Sequence, residues 1–388
     1  MAKVSTTFYD DIALLPLQPE TPLRESLEWK TDLMESYNGT EQALQLRGSP
    51  RQKFTFKFTE QAWTKNLGFN VEYGAIQERW GIPLWMEAQY LGTVSAAITA
   101  LPCTVDVYDF RDSSLALLWQ SPTQWQVIEI TTVGAGVLNL DTATNAFTRA
   151  WLMPLRVGRT SGQLQRNSNG HNVQLTANFE IEDNLALSSS APTQYLSQDI
   201  YFEPPIMDGD RMLYGIETRT DVVDYELGIV ARRTPWQYNR VNRPFNVICE
   251  GATEVRAFRE WLMRRAGKYR RFWEPSFEND FRKQSTGTVN STILVGRDGL
   301  DDWAPQRSHI AVELDDGSWL ARALTSITPT SSTQAQLNLS TSLGGIAASR
   351  IRRISWLGLK RLDTDLVEMN WVGGGIMQAA VTVAEIQP

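Results

Sequence analysis

Alternation of apolar and polar side chains dominates this chain of 388 residues. In Lys53-Phe54-Thr55-Phe56-Lys57-Phe58 the three phenylalanines fall on one face of a strand, because successive strand side chains point to opposite sides, and that face has to be buried. Val173 to Ile181 keeps the same period of two. So does His309 to Leu314, which runs into Asp315-Asp316-Gly317 and then Trp319 to Leu324, the signature of a β-hairpin. One stretch has a helical period instead: from about Thr253 to Ala266, Val255, Phe258, Trp261, Leu262 and Ala266 share a face and Gly267 supplies the stop. The matching stretch of the N-terminal half, about Val71 to Trp80, is broken by Gly74 and predicts a shorter helix. The expected fold is mainly β: β-sandwich or open-barrel domains, each with one packed helix.

Short segments recur in order along the chain. Asp11-Ile12 with Pro16 returns as Asp199-Ile200 with Pro204, an offset of 188 residues, and Thr31-Asp32 returns as Thr220-Asp221 at 189. Trp85 and Trp273 lie 188 apart, Leu138-Asn139-Leu140 answers Leu337-Asn338-Leu339 at 199, and Trp151-Leu152 answers Trp356-Leu357 at 205. Residues 177–181 and 382–386 close the two halves, again 205 apart. Ordered recurrence of this kind predicts an internal tandem duplication, with loop insertions in the second copy. Small polar residues and Pro192 interrupt the apolar pattern around 187–193, so the expected division is a first β-rich domain at 1–187, a linker at 188–195 and a second β-rich domain at 196–388. The repeated Trp85, Trp273, Trp151 and Trp356 are expected in the core, since equivalent places in both halves suit packing better than a single exposed site.

Composition narrows the function. With 42% hydrophobic and 21% charged residues the chain is expected to fold throughout, and a formal charge of -7 leaves no global positive field for a nucleic-acid backbone. No window reaches the length of apolar sequence that spans a bilayer, and the first residues lack the apolar core of a cleaved signal, so neither membrane insertion nor signal-directed secretion is expected. Cys103 and Cys249 lie far apart in apolar runs and read as free thiols in a reducing compartment.

Motifs for catalysis are missing. The two histidines, His171 and His309, belong to no HExxH or Cys/His set, and the sequence has no nucleophile elbow, Walker A loop or dinucleotide fingerprint. No cofactor, metal or catalytic residue is assigned. Asp315-Asp316 beside Gly317 reads as a turn, and Asp298, Asp301 and Asp302 lack the ligand spacing of a calcium loop. Among 14 tryptophans, Trp119, Trp125 and Trp303 have no counterpart in the other half and are the candidates for exposed aromatics of a sugar-binding surface. Arg264, Arg265, Lys268, Arg270 and Arg271 form the densest basic segment; they suit a solvated helix end and equally a subunit interface with acidic residues of another copy.

The segment Gly39-Thr40-Glu41-Gln42-Ala43-Leu44-Gln45-Leu46-Arg47-Gly48-Ser49-Pro50-Arg51, followed by Phe54-Thr55-Phe56 and Ile82-Pro83-Leu84-Trp85, resembles tail-tip proteins of long-tailed bacteriophages. Gly267-Lys268-Tyr269-Arg270-Arg271-Phe272-Trp273 with Pro275 is the matching feature of the second half, and Ala43 departs from the arginine usual in that pattern. The resemblance implies a non-enzymatic structural protein of the virion tail, made in the host cytoplasm. It would be a distal tail or baseplate component, a homo-oligomeric ring joining the tail tube to receptor-binding or hub proteins. A ring on a six-fold tube needs six copies, or three if each chain supplies two similar lobes. The halves carry net charges of -6 (residues 1–190) and -1 (191–388), so equivalent roles for the lobes do not follow. A carbohydrate-binding adhesin is the alternative, and a glycan hydrolase comes third.

Overall fold

The computed structural model describes residues 2–60, 78–168, 173–183, 185, 187, 190–206, 214–226, 228–236, 239–300, 307–373 and 375–386. It is mainly β. In the first half the principal strands are β1 (Ile12–Leu14), β2 (Glu20–Glu28), β3 (Thr31–Glu35), β4 (Glu41–Gln45), β5 (Arg51–Glu60), β6 (Trp80–Pro83), β7 (Ala100–Pro102), β8 (Ser114–Ser121), β9 (Gln124–Gly134), β10 (Val137–Leu140), β11 (Phe147–Thr160), β12 (Gln165–Ser168) and β13 (Val173–Ile181). The second half has β14 (Gln198–Ile200), β15 (Gly215–Glu217), β16 (Asp221–Asp224), β17 (Val230–Arg233), β18 (Arg240–Glu250), helix α1 (Ala252–Arg265), β19 (Phe272–Pro275), β20 (Thr292–Gly296), β21 (His309–Leu314), β22 (Trp319–Pro329), β23 (Gln334–Leu339), β24 (Ile351–Leu362), β25 (Leu366–Gly373) and β26 (Ile376–Glu385).

The pairing pattern of the first half recurs in the second. β1 runs parallel to β6, which pairs with β11; β14 runs parallel to β19, which pairs with β24. The ladder β11-β8-β9-β10-β7 has its counterpart in β24-β21-β22-β23-β20. The far ends of β11 and β24 turn away from these sheets to pair with β13 and β26. There the orders β12-β13-β5-β2 and β25-β26-β18-β15 match strand for strand. The hairpins β3-β4 and β16-β17 also correspond.

The halves meet in one ladder. β2 pairs antiparallel with β25, from Leu23 opposite Trp371 to Glu28 opposite Leu366, which fuses the two sheets into the order β12-β13-β5-β2-β25-β26-β18-β15. Phe54, Phe56 and Phe58 of β5 are buried, as their alternation requires, in a core that also holds Val367, Met369 and Val381 of the second half. Each half has satellite cores of its own, one under the β7-β11 ladder (Leu118, Ile128, Leu152) and one under β20-β24 (Ile293, Val312, Ile354). The Gln194–Tyr195 pairing with β14 falls inside the expected linker, so the second unit begins there; Ser188 and Ser189 lie outside the described residues.

Helix α1 covers the shared sheet with Val255, Phe258, Trp261 and Leu262. It stops because Ala266 takes a left-handed conformation (φ 50°) and Gly267 follows at φ 69°. Gly267 is needed for space as well: a Cβ there would meet Asp365 Oδ1 at 2.2 Å and Trp29 Cβ at 2.9 Å. Of the shorter helix expected at 71–80, residues 71–77 lie outside the described residues and Trp80 begins β6.

The repeated tryptophans do not share one fate. Trp273 and Trp356 are buried and Trp85 is half-buried, but Trp151 is 37% exposed, which corrects its core assignment. The alternation on β11 explains this, since Ala150 and Leu152 take the inward face and leave Trp151 outside, its ring 5.2 Å from that of Tyr90.

Candidate assembly surfaces

The two segments that carry the family resemblance come together at the junction of the halves. Glu41, at the start of β4, accepts hydrogen bonds from Arg361 (Nε to Oε2, 2.7 Å; Nη2 to Oε1, 3.0 Å) and from Arg240 Nη2 at 2.6 Å. The Glu41 carbonyl accepts a further bond from Arg271 Nη2 at 2.8 Å. Burial pushes the Glu41 carboxyl up, but the Arg361 hydrogen bond and the charges of Arg361, Arg240 and Arg271 more than offset this and hold it below the usual carboxylate range. One glutamate of the first half is thus clamped by three arginines of the second, two on its carboxylate and one on its backbone carbonyl.

A stability dependence on pH follows. Because Glu41 is more acidic when folded, the unfolded chain takes up its proton first as pH falls. The clamp therefore stabilises the fold above the ordinary glutamate pKa and is lost as pH drops through the lower, folded value. Denaturation midpoints between pH 5 and 3 are expected to fall more steeply in the wild type than in Glu41→Gln, and parallel curves would show that the clamp contributes nothing.

The basic segment is not one exposed patch. Arg264 grips Asp199 of β14 bidentately, Nε to Oδ2 at 2.8 Å and Nη2 to Oδ1 at 2.7 Å, and Arg265 binds the same carboxylate while almost wholly buried. Arg271 is held by Glu41 as described. The acidic partner expected on another subunit is, for Arg264 and Arg265, Asp199 of the same chain. Lys268 is half-buried and Arg270 exposed. Arg270 borders an open groove of about 500 Å³ with Gln42 and Ala43.

A second concavity, about 560 Å³, lies between the halves and is lined by Trp85, Trp119, Trp151, Trp371 and Arg259. Trp119 stands edge-on to Trp85 at 5.3 Å, and its Nε1 donates to the Pro16 carbonyl at 2.9 Å. Trp125 sits opposite Trp119 across the β8-β9 ladder, and both are half-buried against an apolar cluster. Edge-on, packed indoles do not form the flat exposed face on which a sugar ring stacks. Trp303 and His171 lie outside the described residues.

The remaining candidates resolve into local structure. Arg350 Nε meets Asp315 at 3.0 Å and its Nη2 meets Asp316 at 2.6 Å, while Asp316 also accepts the Ser318 amide at 2.9 Å, so this pair is tied into its turn. Asp298 pairs with Arg282 at 3.0 Å, and Asp301 and Asp302 lie outside the described residues. Among the described residues no cluster of His, Cys, Asp or Glu is arranged to hold a metal, and no helix is long and apolar enough to cross a membrane. Both cysteines are free thiols, pushed up to about 11 by burial. His309 Nδ1 lies 3.0 Å from the Tyr195 hydroxyl, and burial lowers its pKa.

Two surfaces that sequence reasoning missed are the ends of the joint sheet. Among the described residues the ladder partner of β12 is β13 and that of β15 is β18, so these two strands end the described sheet. Beside β15, the β16-β17 hairpin exposes Val222, Tyr225 and Ile229. Exposed apolar side chains grouped beside the last strand of a sheet mark an interaction surface rather than ordinary scatter. No protein-family model matches the chain, and no curated protein matches it.

Proposed function

We propose that this chain is a structural component of the tail tip or baseplate of a long-tailed bacteriophage, a ring that joins the tail tube to receptor-binding or hub proteins. The observation that carries the reading is the recurring strand order, with two like units fused through β2 and β25 and, among the described residues, β12 and β15 at the two ends of the sheet. An internal tandem duplication accounts for that recurrence, and the ordered sequence matches are consistent with it. A chain that presents two like units supplies six lobes from three copies, which reconciles a trimer with a six-fold tube. The resemblance supplies the phage context, and its two segments meet where Arg271 binds the Glu41 carbonyl. No catalytic role is part of the proposal.

Quantifying this protein's peptides against the tube protein in purified virions tests the reading. Three copies per tail are expected. Six would replace the trimer with a ring of single-lobe contributions, and four, five or none would overturn the reading.

A further inference from the structure

Among the described residues the joint sheet carries each kind of edge twice and pairs one of each. β2 of the first half is covered by β25 of the second, whereas their counterparts, β15 and β12, end the sheet on opposite sides. Gly215-Ile216-Glu217 of β15 stands 189 residues after Ser26-Leu27-Glu28 of β2, and each is followed by a like set, Arg219-Thr220-Asp221 and Lys30-Thr31-Asp32. What differs is cover. Leu27 is 0% exposed, and Ile216, at the same place in the ladder, is 66% exposed.

The hairpins repeat the contrast. Tyr37, at the tip of the β3-β4 hairpin, reaches into the second half: its hydroxyl donates to Asp221, with Arg219 5.1 Å and Arg233 5.8 Å from its ring. Tyr225, 188 residues later at the tip of the β16-β17 hairpin, is 73% exposed, and Ile229 beside it is 84% exposed. On the first half, Lys30 and Asp32 occupy the places of Arg219 and Asp221 and are themselves exposed.

We propose that a second copy of this chain docks head-to-tail on this face, repeating between chains the junction already built within one. β15 adds to β12 of the second copy, a strand addition in which backbone bonds give affinity and side chains give register. At the internal junction Leu27 faces Val367. Continuing the ladders the halves share by one residue, the place of Val367 corresponds to Leu164, which immediately precedes β12, so Ile216 faces Leu164 of the second copy and buries against it. Tyr225 then reaches Asp32 and Lys30 of the second copy, as Tyr37 reaches Asp221 and Arg219. One element is not repeated: the position of Glu41 is taken by Val230 in the second hairpin, so the arginine clamp is missing. The contact between copies is accordingly weaker than the one within a chain and forms as concentration rises.

The contact names the partner in the ring reading and rests on that reading only for closure. The test is a chain carrying both Ile216→Cys and Leu164→Cys, oxidised over a range of concentrations, with each single variant and the wild type as controls for Cys103 and Cys249. Facing residues of an antiparallel pair lie close enough to be bridged. Disulfide-linked dimers and trimers that need both cysteines are expected, together with at least a tenfold weaker association of Tyr225→Ala in sedimentation equilibrium. Linked chains that grow into open filaments would uphold the contact and sink the ring. Closed oligomers with no linkage, unaffected by Tyr225→Ala, would sink the contact and leave the ring standing. A wild-type chain that stays monomeric and unlinked at every concentration would overturn the contact.

Discussion

Arg259→Met is expected to destabilise the protein by about 3–5 kcal/mol, the loss typical when one partner of a buried ion pair is removed. Arg259 lies on α1 of the second half, yet its guanidinium binds two carboxylates of the first: Glu25 on β2, at 2.5 Å, and Glu87. All three are nearly inaccessible to water. Glu25 also accepts from Gln52 Nε2 at 2.8 Å, and Glu87 accepts the Asp109 amide at 2.6 Å, so neither acid is free to swing towards solvent. Without the cation, two charges stay buried and uncompensated. Burial already raises the Glu87 pKa, opposed chiefly by the Arg259 charge, and the Asp109 charge adds to the rise. Removing Arg259 raises it further, so the folded variant takes up its proton at a higher pH than the unfolded chain. Its deficit is therefore expected to shrink as pH falls from 7 towards 5. Chemical denaturation of the wild type, Arg259→Met and the triple variant Glu25→Gln, Glu87→Gln, Arg259→Met checks this. The triple variant should recover most of the loss, because a neutral core has no charge to leave unpaired. A single-variant loss under about 1 kcal/mol would refute the account.

Asp199→Ala carries the second large effect, again about 3–5 kcal/mol, because it strands Arg265. Arg265 is 1% exposed and keeps a bond to the Arg271 carbonyl at 2.7 Å, which satisfies a donor but does not balance its charge. Arg264 shares the same carboxylate from a wetter position, so Arg264→Ala should cost no more than about 1 kcal/mol, the scale of a partly exposed pair. The ratio of the two losses is the diagnostic, measured as urea midpoints at constant m-value. Equal losses would mean that Asp199 acts as a local cap for the chain rather than as the counter-ion of a buried arginine. Since β14 and α1 are brought together by this carboxylate, the Asp199 variant should also loosen the edge from which β14 pairs with β19.

Much of the fold was legible in the sequence, for reasons of periodicity. Alternation in Lys53–Phe58 and Val173–Ile181 told which face of each strand is buried, because a strand whose apolar side chains all point one way has a single way to dry them, whereas His309–Leu314 alternates in sequence but is buried on both faces. The helical period from Thr253 to Ala266 located α1 to within a residue at each end, and ordered matches about 190–205 residues apart anticipated that the halves would share a strand order. What the sequence could not express is contact across a long chain separation. The ladder of β2 with β25 joins residues more than 330 positions apart, and no local pattern records which free edge a strand will choose. The same holds for charge. Arg265 suits a solvated helix end or a subunit interface by its sequence and nothing local marks Arg259, whereas their carboxylates, Glu25, Glu87 and Asp199, arrive from distant parts of the chain and allow both arginines to be buried. Trp151 and Trp356 occupy matching places in the sequence, but only packing around each decided that one faces solvent and the other the core. Local chemistry thus determined the elements and their faces, while tertiary pairing decided which edges are satisfied within the chain and which strands, β12 and β15 among the described residues, end the sheet, since a backbone edge carries the same donors and acceptors whatever residues it bears.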